Sequence, residues 1–156
     1  MALIEVAKKK HVADAEGEDA RSTLTDAGLD VRSVQVHQLY FIEGKLDRKS
    51  LLRLADELLT DPVIETAAVS TATLPKASPE RGWDIIRTFH SGVTDNTGET
   101  TLNAAHAMGF GRVTAITTGK RFLIQGSLSA AQARMAAEKI LANPVIETVT
   151  VRRCSR

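Results

Sequence analysis

A chain of 156 residues, 43% hydrophobic and 25% charged, has the make-up of a folded globular protein with length for one full core or two small ones, which excludes a disordered chain. A net charge of +1 and an aromatic content of 4% supply neither the basic footprint nor the stacking rings of a nucleic-acid binder. The apolar stretch before Lys8-Lys9-Lys10 is too short for a signal peptide, and no later segment nears the roughly 18 apolar residues of a membrane span, so a cytoplasmic protein with no membrane partner is expected.

The first predicted element is a strand at Leu3-Ile4-Glu5-Val6-Ala7, short and rich in branched residues. In Asp14-Ala15-Glu16-Gly17 the aspartate suits the free amides of a helix start, and Glu18 suits the positive end of the helix dipole. That helix runs to about Ala27 and stops at Gly28, because glycine enters the left-handed cap conformation without steric cost. Val31 to Val36 and Leu39 to Gly44 follow as two paired strands divided by the polar His37-Gln38. Asp47 caps a second helix in which Leu51, Leu54, Ala55, Leu58 and Leu59 form a core stripe. Pro62 stops that helix, and Val63 to Val69 form a last strand.

Residues 70–82, with two prolines and several small polar residues, read as a linker, after which the series begins again. Leu59-Thr60-Asp61-Pro62-Val63-Ile64-Glu65-Thr66 returns 82 positions later as Leu141-Ala142-Asn143-Pro144-Val145-Ile146-Glu147-Thr148, identical at six of eight positions. Val12 to Glu18 matches Val93 to Glu99 at a spacing of 81, and an inserted residue near position 111 reconciles the two spacings. The second copy therefore carries a strand at Asp84 to Phe89, a helix begun by Asp95-Asn96-Thr97-Gly98 and ended at Gly109, and strands at Val113 to Thr117 and Arg121 to Gly126. A helix capped by Ser129 with Ala133, Ala136, Ala137, Ile140 and Leu141 inward, a stop at Pro144, and a strand from Val145 to Val151 complete it. The expected organisation is a first repeat over 1–69, the linker over 70–82, a second repeat over 83–152 and a tail over 153–156, with Cys154 placed in that polar tail.

Each repeat has the order strand-helix-strand-strand-helix-strand, so the fold class expected is α+β: two ferredoxin-like repeats, each an antiparallel sheet with two helices on one face. Leu39 to Ile42 and Phe122 to Ile124 are apolar on both sides of the strand, so the other sheet face needs cover as well, and the other repeat supplies it in a pseudo-dimer. Charge divides unevenly between the copies. Residues 1–69 hold nine Lys and Arg against thirteen Asp and Glu, a balance of −4, while residues 70–156 hold 11 against 6, a balance of +5.

Residues for catalysis are not gathered by this pattern. His11, His37, His90 and His106 lack metal-ligand spacing, no serine lies in a Gly-x-Ser-x-Gly elbow, and Gly109-Phe110-Gly111-Arg112 is neither a Walker A loop nor a dinucleotide fingerprint. No cofactor, no metal and no catalytic residue is expected, and Asp14, Gly17, Pro62, Asp95, Gly98 and Pro144 read as the structural motif of the repeat.

The residues resemble those of the PurS family, whose pattern is Lys-Pro-Gly-Val-Leu-Asp-Pro-x-Gly before a helix, then a Val-Gly-Lys segment, then Leu-Ala-Asn-Pro-Val-Ile-Glu. The second repeat keeps Gly92, Val93, Asp95, Gly98, Gly119, Lys120 and the whole run from Leu141 to Glu147. The first keeps Val12, Asp14, Gly17 and Asp61 to Glu65, with His11 for the first glycine and His37-Gln38 for Gly-Lys. PurS is the small subunit of phosphoribosylformylglycinamidine synthase, an ATP- and glutamine-dependent ligase of purine biosynthesis, and it pairs with itself; this chain resembles a covalently joined pair. The resemblance implies a subunit without activity of its own that bridges the synthetase subunit PurL and the glutaminase subunit PurQ, with an internal pseudo-dimer that is free to pair again. It also implies partner-facing turns at Gly119-Lys120 and His37-Gln38. The competing expectations are a regulatory module binding a small molecule, and one end of a larger fused synthase.

Overall fold

The branched runs become strands and the periodic runs helices, in the order β1 (Ala2–Lys8), α1 (Ala15–Asp26), β2 (Asp30–Gly44), α2 (Arg48–Leu54), β3 (Glu65–Ser70), β4 (Gly82–Phe89), α3 (Asn96–Ala107), β5 (Val113–Ser127), α4 (Ala130–Ala136) and β6 (Glu147–Cys154). This is a computed structural model, and it describes residues 1–154. Helices α2 and α4 each continue through one π-helical turn, Ala55–Leu59 and Ala137–Leu141. The class is α+β, with one six-stranded antiparallel sheet in the order β3-β1-β2-β5-β4-β6 and four helices, consistent with two ferredoxin-like repeats.

Local chemistry explains the element ends. Asp14, Asp47, Asp95 and Ser129 each cap a helix through a side-chain oxygen, and Ser129 with Gln132 closes a reciprocal capping box. Gly28 and Gly109 follow α1 and α3 at φ of +86° and +94°. Strands β3 and β6 begin two residues later than their branched runs suggest, because the residues after Pro62 and Pro144 are held in tight turns.

One expectation is overturned within each repeat. The paired strands divided at His37-Gln38 and at Thr118 to Lys120 are single strands, β2 and β5, of 15 residues each. A tight hairpin needs residues that accept positive φ, and none of these residues does so: Gly119 itself keeps a negative φ.

The chain folds as two compact units, and each draws on both sequence repeats. The first comprises Met1–Val12, Gln38–Lys76 and Thr94–Gly119, and so combines β1, the end of β2, α2 and β3 with α3 and the start of β5. Its strand segments run β3-β1-β2-β5, with β1 antiparallel to both β2 and β3. That is the ferredoxin-like order, with its first helix and the strand after it supplied by the second repeat. Ile4, Ile42, Leu54 and Ala55 pack there with Ala105 of α3 and with Phe110 and Val113.

The second unit comprises Ala13–His37, Ala77–Val93 and Lys120–Arg156. Here β4, α4, β6 and the end of β5 join α1 and the start of β2, and β4 pairs antiparallel with β6. Leu24 of α1 and Val31, Val34 and Val36 of β2 pack with Ile85, Phe122, Ile124, Ala133 and Ala137. In both units the helical stripes are core: Leu51, Leu54, Ala55, Leu59, Ala133, Ala136, Ala137 and Leu141 are buried, and Leu58 and Ile140 pack against them partly buried.

Alternate strand positions away from the helices are buried too, as the doubly apolar runs require: Leu3 and Leu39 are 1% and 0% exposed. In the second unit the equivalent positions are Asp84 and Arg121, a buried ion pair. Cys154 is the buried last residue of β6, paired opposite Gly82, where a polar tail was expected; Ser155 and Arg156 lie outside the described residues.

Candidate functional site

The aspartates of the repeat motif tie helix starts to strands. Asp14 accepts from the amides of Gly17 at 2.8 Å and Val36 at 2.9 Å. Asp95 accepts from the amides of Gly98 at 2.8 Å and Thr118 at 2.5 Å, and also from the Thr118 hydroxyl. The glycines permit this approach: a Cβ on Gly17 would stand 2.3 Å from the carbonyl oxygen of Val34, and one on Gly98 would stand 2.3 Å from that of Ile116. A helix begun this way is fastened to the strand that follows it, and both oxygens of each carboxylate accept a hydrogen bond in doing so.

The most strongly repeated segment forms a closed turn in each unit. Asp61 accepts from the Val63 amide at 3.0 Å, while Glu65 reaches back to the Asp61 amide at 2.9 Å. Asn143 and Glu147 repeat both bonds, at 3.1 and 2.8 Å. Lys8 pairs with Glu65 at 2.7 Å, and Arg87 pairs with Glu147 at 3.3 Å. Burial opposes ionisation of Glu65, but the Asp61 amide and the Lys8 ammonium outweigh it and hold the carboxyl below its usual range. Pro62 and Pro144 sit inside these turns, and their carbonyls accept from Lys9 and face the His90 ring. The turns hold Val63 and Val145 out at 73% and 81% exposure.

The residues expected at partner-facing turns lie within strands. Gln38 donates to the Gly119 carbonyl at 2.9 Å, and Gly119 is buried. Lys120 forms an ion pair with Glu16. Burial pushes the Lys120 ammonium below its ordinary pKa, against the opposing pull of Glu147 and Asp14. His37 is half-buried. Among the described residues, no three His, Cys, Asp or Glu side chains gather as a metal site.

A constellation that sequence reasoning missed lies in the second unit. Arg32 of β2, Arg81 before β4 and Arg153 of β6 line an open cavity of about 670 Å³ with Trp83, Gly126, Ser127, Leu128, Ser129 and Cys154. Trp83 is fixed by a bond from its Nε1 to the Leu128 carbonyl at 3.1 Å, and the Arg153 guanidinium lies 5.5 Å from its ring centroid. Arg32 donates to Gln125 at 3.3 Å, and Gln125 donates to Glu80. Gly126 sits with φ +156° where a Cβ would meet the Asp30 carbonyl oxygen at 2.1 Å. The three arginines are separated by 49 and 72 positions in the chain, so no local motif announces them. The available signal was a comparison of the repeats, because Thr114, Ala2 and Thr71 stand in the first unit where Arg32, Trp83 and Arg153 stand in the second.

The arrangement combines two structural clamps, two exposed turns and one basic cavity. No curated protein matches the chain. The family model described as PurS: Phosphoribosylformylglycinamidine (FGAM) synthase matches it twice, over residues 1–73 and 84–154, one match on each copy of the repeat. The chain therefore belongs to the PurS family, as a tandem duplicated pair with a role in the FGAM synthase of purine biosynthesis.

Proposed function

We propose that this chain is a non-catalytic assembly subunit of phosphoribosylformylglycinamidine synthase, acting in the cytoplasm. It bridges the synthetase subunit PurL and the glutaminase subunit PurQ, so that ammonia released from glutamine reaches formylglycinamide ribonucleotide without loss to solvent. The observation that carries this reading is the double family match, over 1–73 and 84–154. Contact with the partners falls to the paired turns at 61–65 and 143–147, whose Asp61, Glu65, Asn143 and Glu147 side chains bond within the turn while Val63, Val145 and Ile146 stand exposed. Exposed apolar side chains on rigid turns suit protein contacts, since little conformational freedom is lost when they are covered.

The test is co-purification of the chain with PurL and PurQ from the same source, with ATP and glutamine present, joined to turnover assays. The expected result is a complex in which glutamine-dependent turnover requires the chain and ammonia-dependent turnover does not. Absence of both binding and any change in turnover would overturn the reading. Val63→Ser with Val145→Ser is expected to weaken the complex at least 10-fold while leaving stability within about 0.5 kcal/mol, as for surface positions generally.

A further inference from the structure

Three arginines line one cavity, and among its described lining residues there is no carboxylate. Three cationic side chains around one cavity give it a positive potential that favours an anion. The fold does not demand it. The same positions in the first unit carry Thr114 for Arg32, Ala2 for Trp83, Asp47 for Ser129 and Thr71 for Arg153, and that unit builds the same strands and helices. Glu80, the neighbouring carboxylate, is bonded to Gln125 and lines an adjoining, smaller cleft that shares Arg81, Gly82, Trp83 and Cys154 with the cavity.

We propose that this cavity binds a small molecule carrying a phosphate monoester, its phosphate held by Arg32, Arg81 and Arg153 and its organic part in the remaining space beside Trp83. A carboxylate offers two oxygens, whereas a phosphate offers three and close to two negative charges, which is the better match for three guanidinium forks. The cavity of about 670 Å³ lies within the range of sites for ligands of nucleotide size and is far larger than a bare phosphate needs. Ser127 and Ser129 add hydroxyl groups at the same rim. The site is independent of the assembly role and stands or falls separately from it.

Isothermal titration of the purified chain with adenosine monophosphate, ribose 5-phosphate, inorganic phosphate and adenosine tests this directly. The two esters are expected to bind, inorganic phosphate at least 10-fold more weakly, and adenosine not at all. Arg81→Gln and Arg153→Gln should each weaken ester binding at least 10-fold, while Arg53→Gln on α2 in the first unit leaves it unchanged. For the unaltered chain, ester affinity should rise as pH passes about 6, where the second phosphate proton leaves. Adenosine binding as tightly as its monophosphate, inorganic phosphate binding as tightly as the esters, no binding of any phosphate compound, or affinity unchanged in both arginine variants would each overturn the proposal.

Discussion

Asp84 is 0% exposed, and its carboxylate accepts from Arg121 at 2.9 and 2.8 Å and from Arg152 at 2.5 Å. Taking those charges out of water is costly, and their mutual attraction offsets the cost only while both partners are present. Removing one is the damaging change: Asp84→Asn should lower stability by about 3 to 5 kcal/mol in urea denaturation. The first repeat shows the alternative, because Leu3 and Leu39 occupy the same two positions and are equally buried. The double change Asp84→Leu with Arg121→Leu is therefore expected to restore most of what the single change loses, with Arg152, at 25% side-chain exposure, turning toward water. A double variant as unstable as the single one would show that the pair is required as a pair. This ion pair was not legible in the sequence: its members are 37 residues apart, and Asp84 stands in an otherwise apolar run.

The turn over Asp61 to Glu65 illustrates the element scale, since Asp61, Pro62 and Glu65 each have a local cause. Pro62 ends the helical segment, Asp61 closes the loop, and Glu65 returns to the Asp61 amide while holding Lys8 on β1. Glu65 has a folded-state pKa held below its ordinary value of 4.5, so it contributes stability above that value and loses the contribution as pH falls through the lower folded-state pKa. The stability difference between the protein and its Glu65→Gln variant should accordingly be present at neutral pH and shrink through the acid range below 4.5. A difference that is constant with pH would exclude the ion pair as its source. Helix caps, stops and core stripes were readable at this scale because they depend on neighbours three or four residues away. Strands β2 and β5 were not, because polar residues in mid-strand resemble a turn until their partners are known; Gln38, whose side-chain amide donates to the Gly119 carbonyl, is such a residue.

At the scale of the whole molecule, the sequence repeat and the compact unit are different partitions of the chain. The −4 and +5 of the two halves become 0 and +1 in the two units, because acidic α1 belongs to the second unit and α3 to the first. Charge asymmetry between halves therefore gives no reason for each half to attract a different partner. The exchange also makes the repeats interdependent. Residues 1–76 expressed alone lack the segment Thr94–Gly119 that completes the first unit, so at low concentration they should be largely unfolded, and gain structure when concentrated or mixed with residues 77–156. Circular dichroism and light scattering across a dilution series check this, and a stable dilute monomer would contradict it. In the joined chain the exchange is intramolecular and should persist at dilutions that separate the fragments.

Sequence alone determined the α+β class, the duplication, the helix caps and stops, the core stripes and the PurS resemblance, since each rests on local periodicity, on short-range hydrogen bonding or on identity between copies. Only the tertiary structure decided that each unit takes its first helix from the other repeat, that β2 and β5 run unbroken, that Asp84 and Arg121 are buried together, and that Arg32, Arg81 and Arg153 share a cavity. Those features depend on which distant segments meet. Two copies of one pattern satisfy the same local rules whether helices stay at home or are exchanged, so local chemistry leaves that choice open and packing makes it.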